Sequence, residues 1–269
     1  MEEQHFPLAL KYAERSLELD PSIAEAHAII ADLLRYGLRW SEAEKHYVRA
    51  IELEPNNSTL YLWYGEQLTT SGRHAEALET ARIAVDLDPF HPATNAILGS
   101  ALAILGHTDE SIEYMNSAWD LGHPGSLYFL IQMQFHSGNT EEALRLVEEN
   151  REFFDAETDG AYELYVAASL DPRKVDEYLD YIADSPYPLN IWIALDYVRF
   201  GRVDEGLQRI IESGADGGDW YLMWDPDLRP LRQHPRFGEL VRNSGLDEFW
   251  DEIGWPSQCS RDGDKITCN

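Results

Sequence analysis

Two cysteines, Cys259 and Cys268, are the residues of this chain best spaced for covalent chemistry. Between them runs Ser-Arg-Asp-Gly-Asp-Lys-Ile-Thr, in which Asp262-Gly263 is a turn signal. A hairpin folded at that turn brings the two sulfurs within bridging range, so a disulfide is expected. A zinc site would need about four ligands, and neither a histidine nor a third cysteine lies nearby in sequence. Left unbridged, the pair is simply two free thiols.

The nine histidines invite a metal ion, but their spacing does not supply a site. His27, His46 and His74 come at unequal intervals, while His91, His107, His123 and His136 fall mostly between helical stretches. There is no His-Glu-x-x-His pair, no Gly-x-x-x-x-Gly-Lys-Ser/Thr phosphate loop and no Gly-x-Ser-x-Gly elbow. Asp262-Gly-Asp264 lacks the remaining ligands of a calcium loop and reads as the hairpin turn. Carboxylates are so abundant that close pairs arise by chance. The expectation is a chain that is not an enzyme, with no catalytic residue, no metal ligand and no cofactor.

Charge narrows the partners. Forty-nine acidic residues against 21 Lys and Arg leave a net charge of −28 over 269 residues. A field of that sign repels phosphate backbones, so direct nucleic-acid binding is not expected. One stretch inverts the sign: Arg229, Arg232, Arg236 and Arg242 stand against Asp227 and Glu239. These arginines either dock a basic cap onto an acidic body or hold an anionic ligand, with docking favoured by the tryptophans around them. No apolar run reaches the ~18 residues of a membrane span. The opening Met1-Glu-Glu-Gln-His-Phe-Pro7 lacks the basic and apolar regions of a signal peptide.

The elements that position these groups are set by a repeat. Leu17-Glu-Leu-Asp-Pro21 returns as Ile51-Glu-Leu-Glu-Pro55 and again as Val85-Asp-Leu-Asp-Pro89, each time 34 residues on. From Ala24 the first period carries Ile30, Ala31, Leu34, Ala43, Tyr47 and Ala50. The second, from Ser58, carries Tyr61, Tyr64, Gly65, Leu68, Gly72, Ala77, Ala81 and Ala84. Leu98, Gly99, Leu102, Gly106 and Ala118 continue it from Pro92, with Pro124 one place late. On these residues the chain resembles the tetratricopeptide repeat family. The resemblance implies an all-α, right-handed tetratricopeptide superhelix in which small residues let helices A and B of each repeat approach closely.

Residues 1–22 then form a lone B helix, a partial repeat whose missing A helix implies a longer parent protein or a covered end. Residues 23–213 form the solenoid of about six helix pairs. Past Leu121 the pairs are Ser126–His136 with Thr140–Phe153, Ala161–Leu170 with Arg173–Ala183, and Leu189–Phe200 with Val203–Ser213. After the loop at 214–218, residues 214–256 form a Trp-rich capping segment, expected on the last repeat. Residues 257–269 form the disulfide-closed hairpin.

The family's concave face implies a protein or peptide partner in its groove. Carried onto this sequence, the groove positions include Arg35, Leu62, Glu66 and Ser100, then Tyr128, Gln132 and Phe135. Such a groove suits a peptide with a basic residue and an apolar anchor. Tyr128 and Phe135 read equally well as packing between helices.

A second resemblance covers the C-terminal end. Trp224-Asp-Pro-Asp-Leu-Arg-Pro-Leu-Arg-Gln-His-Pro-Arg-Phe237, then Gly245-Leu-Asp-Glu-Phe-Trp250 and Gly254-Trp-Pro256, are similar to the ends of certain bacterial signalling proteins. These are winged-helix transcriptional regulators of the CadC and ToxR type and adenylate-cyclase-type proteins. That likeness implies an effector domain upstream and a sensing role for this chain. A bridged Cys259–Cys268 would place it in an extracytoplasmic, periplasmic setting; free thiols would fit the cytoplasm. A free-standing adaptor or scaffold that self-associates is the alternative.

Overall fold

Helix starts reproduce the 34-residue period. In the computed structural model, which describes residues 6–158, 161–183, 191–214 and 220–269, A helices begin at Ala24, Ser58 and Pro92 and B helices at Trp40, His74 and Thr108. The N-terminal residues 1–5, Leu189 and most of the 214–218 loop lie outside the described residues. The fold class is all-α, and the described helices form six A–B pairs, as expected.

The chain divides into two units, residues 1–123 with 215–269 and residues 124–214. The first opens with α1 (Phe6–Leu19), the lone B-type helix, followed by α2 (Ala24–Tyr36) and α3 (Trp40–Leu53). Next come α4 (Ser58–Thr70), α5 (His74–Leu87), α6 (Pro92–Ile104) and α7 (Thr108–Asp120). Each helix packs on the next, and the A helices α2, α4 and α6 also touch in series. Small residues make this possible. Ala28, Ala31, Ala43, Ala50, Ala81 and Ala84 are all completely or almost completely buried, with Tyr47 filling the gap they leave. At Gly99 a Cβ would come within 2.9 Å of Met115 Cγ, so any larger residue would force the Met115 side chain to move where α6 meets α7.

Each A–B turn of the first unit has one residue in the left-handed region. Gly72 and Gly106 supply it at φ 80° and 82°. In the first repeat the same position is Leu38, at φ 59°, where a side chain costs conformational energy that glycine would not.

The second unit contains α8 (Gly125–His136), α9 (Thr140–Glu149), α10 (Arg151–Thr158) and α11 (Ala161–Leu170). It continues with α12 (Val175–Ala183), α13 (Ile191–Arg199) and α14 (Val203–Ser213). The helix expected over Thr140–Phe153 breaks at Asn150, whose side chain donates to the Leu146 carbonyl 2.8 Å away and ends the first segment. Here aromatics take over where the small-residue pattern fades. Phe154 stacks on Tyr162 at 4.0 Å, and Tyr165, Tyr178 and Phe200 form a second cluster with centroids 5.5–5.7 Å apart.

The first unit is completed by the C-terminal segment. A short 3-10 helix at Trp220–Trp224 leads to α15 (Arg229–Arg232), α16 (Phe237–Asn243) and α17 (Leu246–Ile253). The antiparallel strands β1 (Cys259–Asp262) and β2 (Lys265–Cys268) follow, with Cys259 opposite Cys268 and bonded to it. No described helix is long and apolar enough to cross a membrane.

Candidate functional site

The groove residues are the first to place, and two of them are occupied internally. Arg35 is only 3% exposed. Its guanidinium pairs with Asp32 at 2.6 Å and with Glu66 at 3.4 Å, and it lies 4.7 Å over the Tyr36 ring. Burial works against its charge, but Tyr47, Asp32 and Glu66 outweigh that and hold it above its ordinary value. Glu66, half-buried, is raised by burial, with Asp32 adding to the effect and Arg35 opposing it. The structure thus brings Arg35 and Glu66 together as an ion-paired link between two A helices. Leu62 is 5% exposed, whereas Ser100 is half-buried on α6.

In the second unit Tyr128 meets Phe153, Phe154 and Tyr162 at 5.8, 5.3 and 5.4 Å, the contacts of a packing residue. Gln132 and Phe135 are half-buried on the same helix, α8.

The cap corrects the expectation that it lies on the last repeat. The bonds it makes reach back to the A–B turns of the first and second repeats. Trp224 Nε1 donates to Thr70 O at 2.9 Å, Trp250 Nε1 to Ser71 O at 2.8 Å and Gln258 Nε2 to Gly72 O at 2.7 Å. From the other side, Trp40 Nε1 donates to Ser244 O at 2.6 Å, and Ser41 bonds Glu252. Thr70, Ser71 and Gly72 close α4, where backbone carbonyls have no partner within the helix. Three successive orphan carbonyls are satisfied by three side chains of the cap.

The arginines act differently from the expected ion-pair docking. Arg232, 4% exposed, donates to Met223 O and Asp225 O, both at 2.7 Å, and holds the cap's own turn. Arg236 pairs with Glu239 at 2.9 Å, and Arg242 donates to Asp264 O at 2.8 Å, fixing the hairpin. Arg229 is exposed and forms no side-chain hydrogen bond or ion pair among the described residues.

Docking leaves a cleft of about 900 Å³ between the cap and the start of α5, bordered by Ile104 and Leu105. Trp224, Trp255, Ile253 and Pro256 give it apolar walls, and the exposed Arg229 and the buried Arg232 also line it. Arg73 holds the opposite side by pairing with Glu44 at 2.5 Å and Glu76 at 2.6 Å. The Arg73 hydrogen bonds keep Glu76 below the usual carboxylate range, ionised and poorly suited to proton transfer.

His74, 8% exposed, packs edge-on to Trp224 at 4.7 Å. Burial, helped by the Arg232 cation, pushes its imidazole down to about 3. The Gln258 amide nitrogen is fixed by Gly72 O and lies 3.2 Å from His74 Nδ1, so Nδ1 accepts and Nε2 carries the proton. His74 Nε2, Arg232 Nε and Glu44 Oε2 are buried without a hydrogen-bond partner among the described residues. Each such unmade bond costs about 1–3 kcal/mol. Interface and strain therefore meet at this cleft.

Residues 30–92 match the tetratricopeptide repeat family. No curated protein matches the chain significantly. Among solved structures, the chain resembles PilW, described as a widely conserved type IV pilus biogenesis factor, with a TM-score of 0.50 and 16% identity over 86% of this chain and 92% of that one. Pseudomonas aeruginosa pilF matches at a TM-score of 0.47 and 19% identity over 79% and 88%. YrrB, described as a tetratricopeptide protein with an unusual peptide-binding site, matches at 0.44 and 22% over 54% and 76%. At 16% identity the likeness to PilW is one of fold, an all-α solenoid carrying tetratricopeptide repeats.

Proposed function

We propose that this chain is a non-catalytic module that binds a protein or peptide partner, and that the contact is made in the cleft between the cap and the second repeat. One observation carries the reading. The cleft combines apolar walls at Trp224, Trp255 and Ile253 with a free cation at Arg229. That pairing suits an extended segment with an apolar side chain and an acidic group. The groove reading loses support where Arg35 and Leu62 are already buried, and a contact at Glu66 and Ser100 is its remaining form.

Selection from a random peptide display library tests the choice between surfaces. Selected peptides should lose at least tenfold in affinity on Arg229→Glu and little on Ser100→Lys. The reverse pattern moves the site to the groove, and failure to select any peptide counts against peptide binding.

We propose further that the module is the sensing part of a signalling or transcription-regulating protein, with an effector domain upstream. The C-terminal string from Trp224 to Pro256 supports this, as does a cleft whose unpaired buried groups would repack when filled. The Cys259–Cys268 bond fits an extracytoplasmic setting. A complete gene product with no upstream domain, or free thiols in protein purified without reductant, would remove this part of the proposal.

A self-associating scaffold is favoured by one feature: Leu8, Tyr12 and Leu19 are 47%, 63% and 72% exposed on α1, which no A helix precedes among the described residues. Light scattering that gives a concentration-independent monomer rejects it.

A further inference from the structure

His27 on α2 and His46 on α3 stand 19 residues apart, yet their Nδ1 atoms lie 3.0 Å from each other. His27 Nε2 is 3.2 Å from the Pro21 carbonyl, which can only accept, so Nε2 carries the His27 proton and Nδ1 presents a lone pair. In the absence of any ion, His46 must place its own proton on Nδ1 and donate it to His27. Moving that proton to Nε2 of His46 leaves two lone pairs facing each other across 3.0 Å.

We propose that this pair is a two-histidine site for a divalent transition-metal ion of the zinc, nickel or copper class. Imidazole nitrogens bind such ions at about 2.0–2.1 Å, so two neighbouring positions of a coordination sphere lie about 2.9–3.4 Å apart. The observed separation falls inside that interval. The ring centroids are 5.1 Å apart, closer to head-on than to convergent, and a tilt of each ring about its soft χ2 torsion aims both lone pairs at a shared ion.

The His27 Nε2–H to Pro21 carbonyl bond is the kind of second contact that fixes the tautomer of a metal-ligating histidine. Both rings are half-buried, open enough for an ion to enter. The net charge of −28 favours a dication over the apo surface. Among the described residues no group of three or more ligating side chains converges. The ion would therefore keep its remaining positions for water or for donors of another molecule, which makes the site a point where metal and a partner could join.

Zinc, nickel and copper chlorides titrated into the untagged full chain test this. The expected result is one equivalent bound at micromolar affinity, with a rise in Tm, and at least a tenfold loss in both His27→Asn and His46→Asn. A copper spectrum showing two equatorial nitrogens should disappear in either variant. Retention of the same equivalent in both variants, or no binding by the parent chain under conditions where it is folded, overturns the proposal and leaves the pair as an ordinary hydrogen bond. Because both variants keep a polar side chain at a half-buried position, circular dichroism separates loss of ligand from loss of fold.

Discussion

The indole of Trp224 donates its Nε1 hydrogen to the carbonyl oxygen of Thr70, 2.9 Å away and 154 residues earlier in the chain. Trp250 does the same for Ser71. Replacing either tryptophan with phenylalanine keeps an aromatic ring but leaves a buried carbonyl without its donor. Each change should lower stability by about 1–3 kcal/mol in denaturant titration. Trp255→Phe is the control, because its Nε1 reaches only the exposed Asp251, four residues earlier in α17. It should stay within about 0.5 kcal/mol of the parent.

Gly72 sits under the same indole. A Cβ there would lie 2.9 Å from Trp224 Cζ2 and 3.2 Å from Pro256 Cγ, on a backbone at φ 80°. Gly106 has the same backbone at φ 82° but nothing within 4 Å. Gly106→Ala should therefore show the conformational cost alone, about 1–2 kcal/mol. Gly72→Ala should add about 1–3 kcal/mol of overpacking and shift Trp fluorescence as the cap lifts. Equal losses in the two variants would mean that the cap does not bear on the turn.

The Arg35–Asp32–Glu66 cluster predicts a different asymmetry. Arg35→Ala leaves two half-buried carboxylates facing each other and removes a buried, packed side chain, which should cost about 2–3 kcal/mol. Glu66→Gln leaves Asp32 bound to Arg35 and should cost well under half of that. The comparison by thermal unfolding would show whether the ion pair or the packing holds these A helices together.

The depressed His74 couples stability to pH. Its folded value of about 3 lies below the 6.5 of the free side chain, so the unfolded chain takes up a proton first as pH falls. Stability is unaffected above about pH 6.5 and is lost progressively between there and pH 3, by on the order of 5 kcal/mol. His74→Asn, whose side-chain oxygen can still accept from Gln258, should flatten that part of the stability curve relative to the parent. A parallel curve would place the acid sensitivity elsewhere.

Much of the fold was legible because the repeat writes itself in side chains. Pro21, Pro55 and Pro89 fall just beyond the ends of α1, α3 and α5, and the alanines and glycines mark the helix contacts. Even the fate of Arg35 could be read, since Asp32 stands three residues before it and Glu66 holds the same repeat position one period on. The cap's seat was not legible. Its acceptors are the backbone carbonyls of Thr70, Ser71 and Gly72, which any sequence would carry, so the tryptophans announce a packed segment without its address. Leu38 further hides the first A–B turn by standing where glycine marks the next two. The His27–His46 contact joins adjacent helices at a spacing that matches no ligand motif.

The cap's return to the first repeats also sets an order of events during synthesis. Thr70, Ser71 and Gly72 leave the ribosome 154, 179 and 186 residues ahead of the groups that complete them, a delay of roughly 8–37 s at ordinary elongation rates. Until Trp224, Trp250 and Gln258 arrive, the early repeats are a nascent surface with exposed carbonyls and the unburied Trp40. A transcript or protease cut that removes the last fifty residues would freeze the chain in that unfinished state. This makes the C-terminal segment the quality mark by which a finished molecule differs from a growing one.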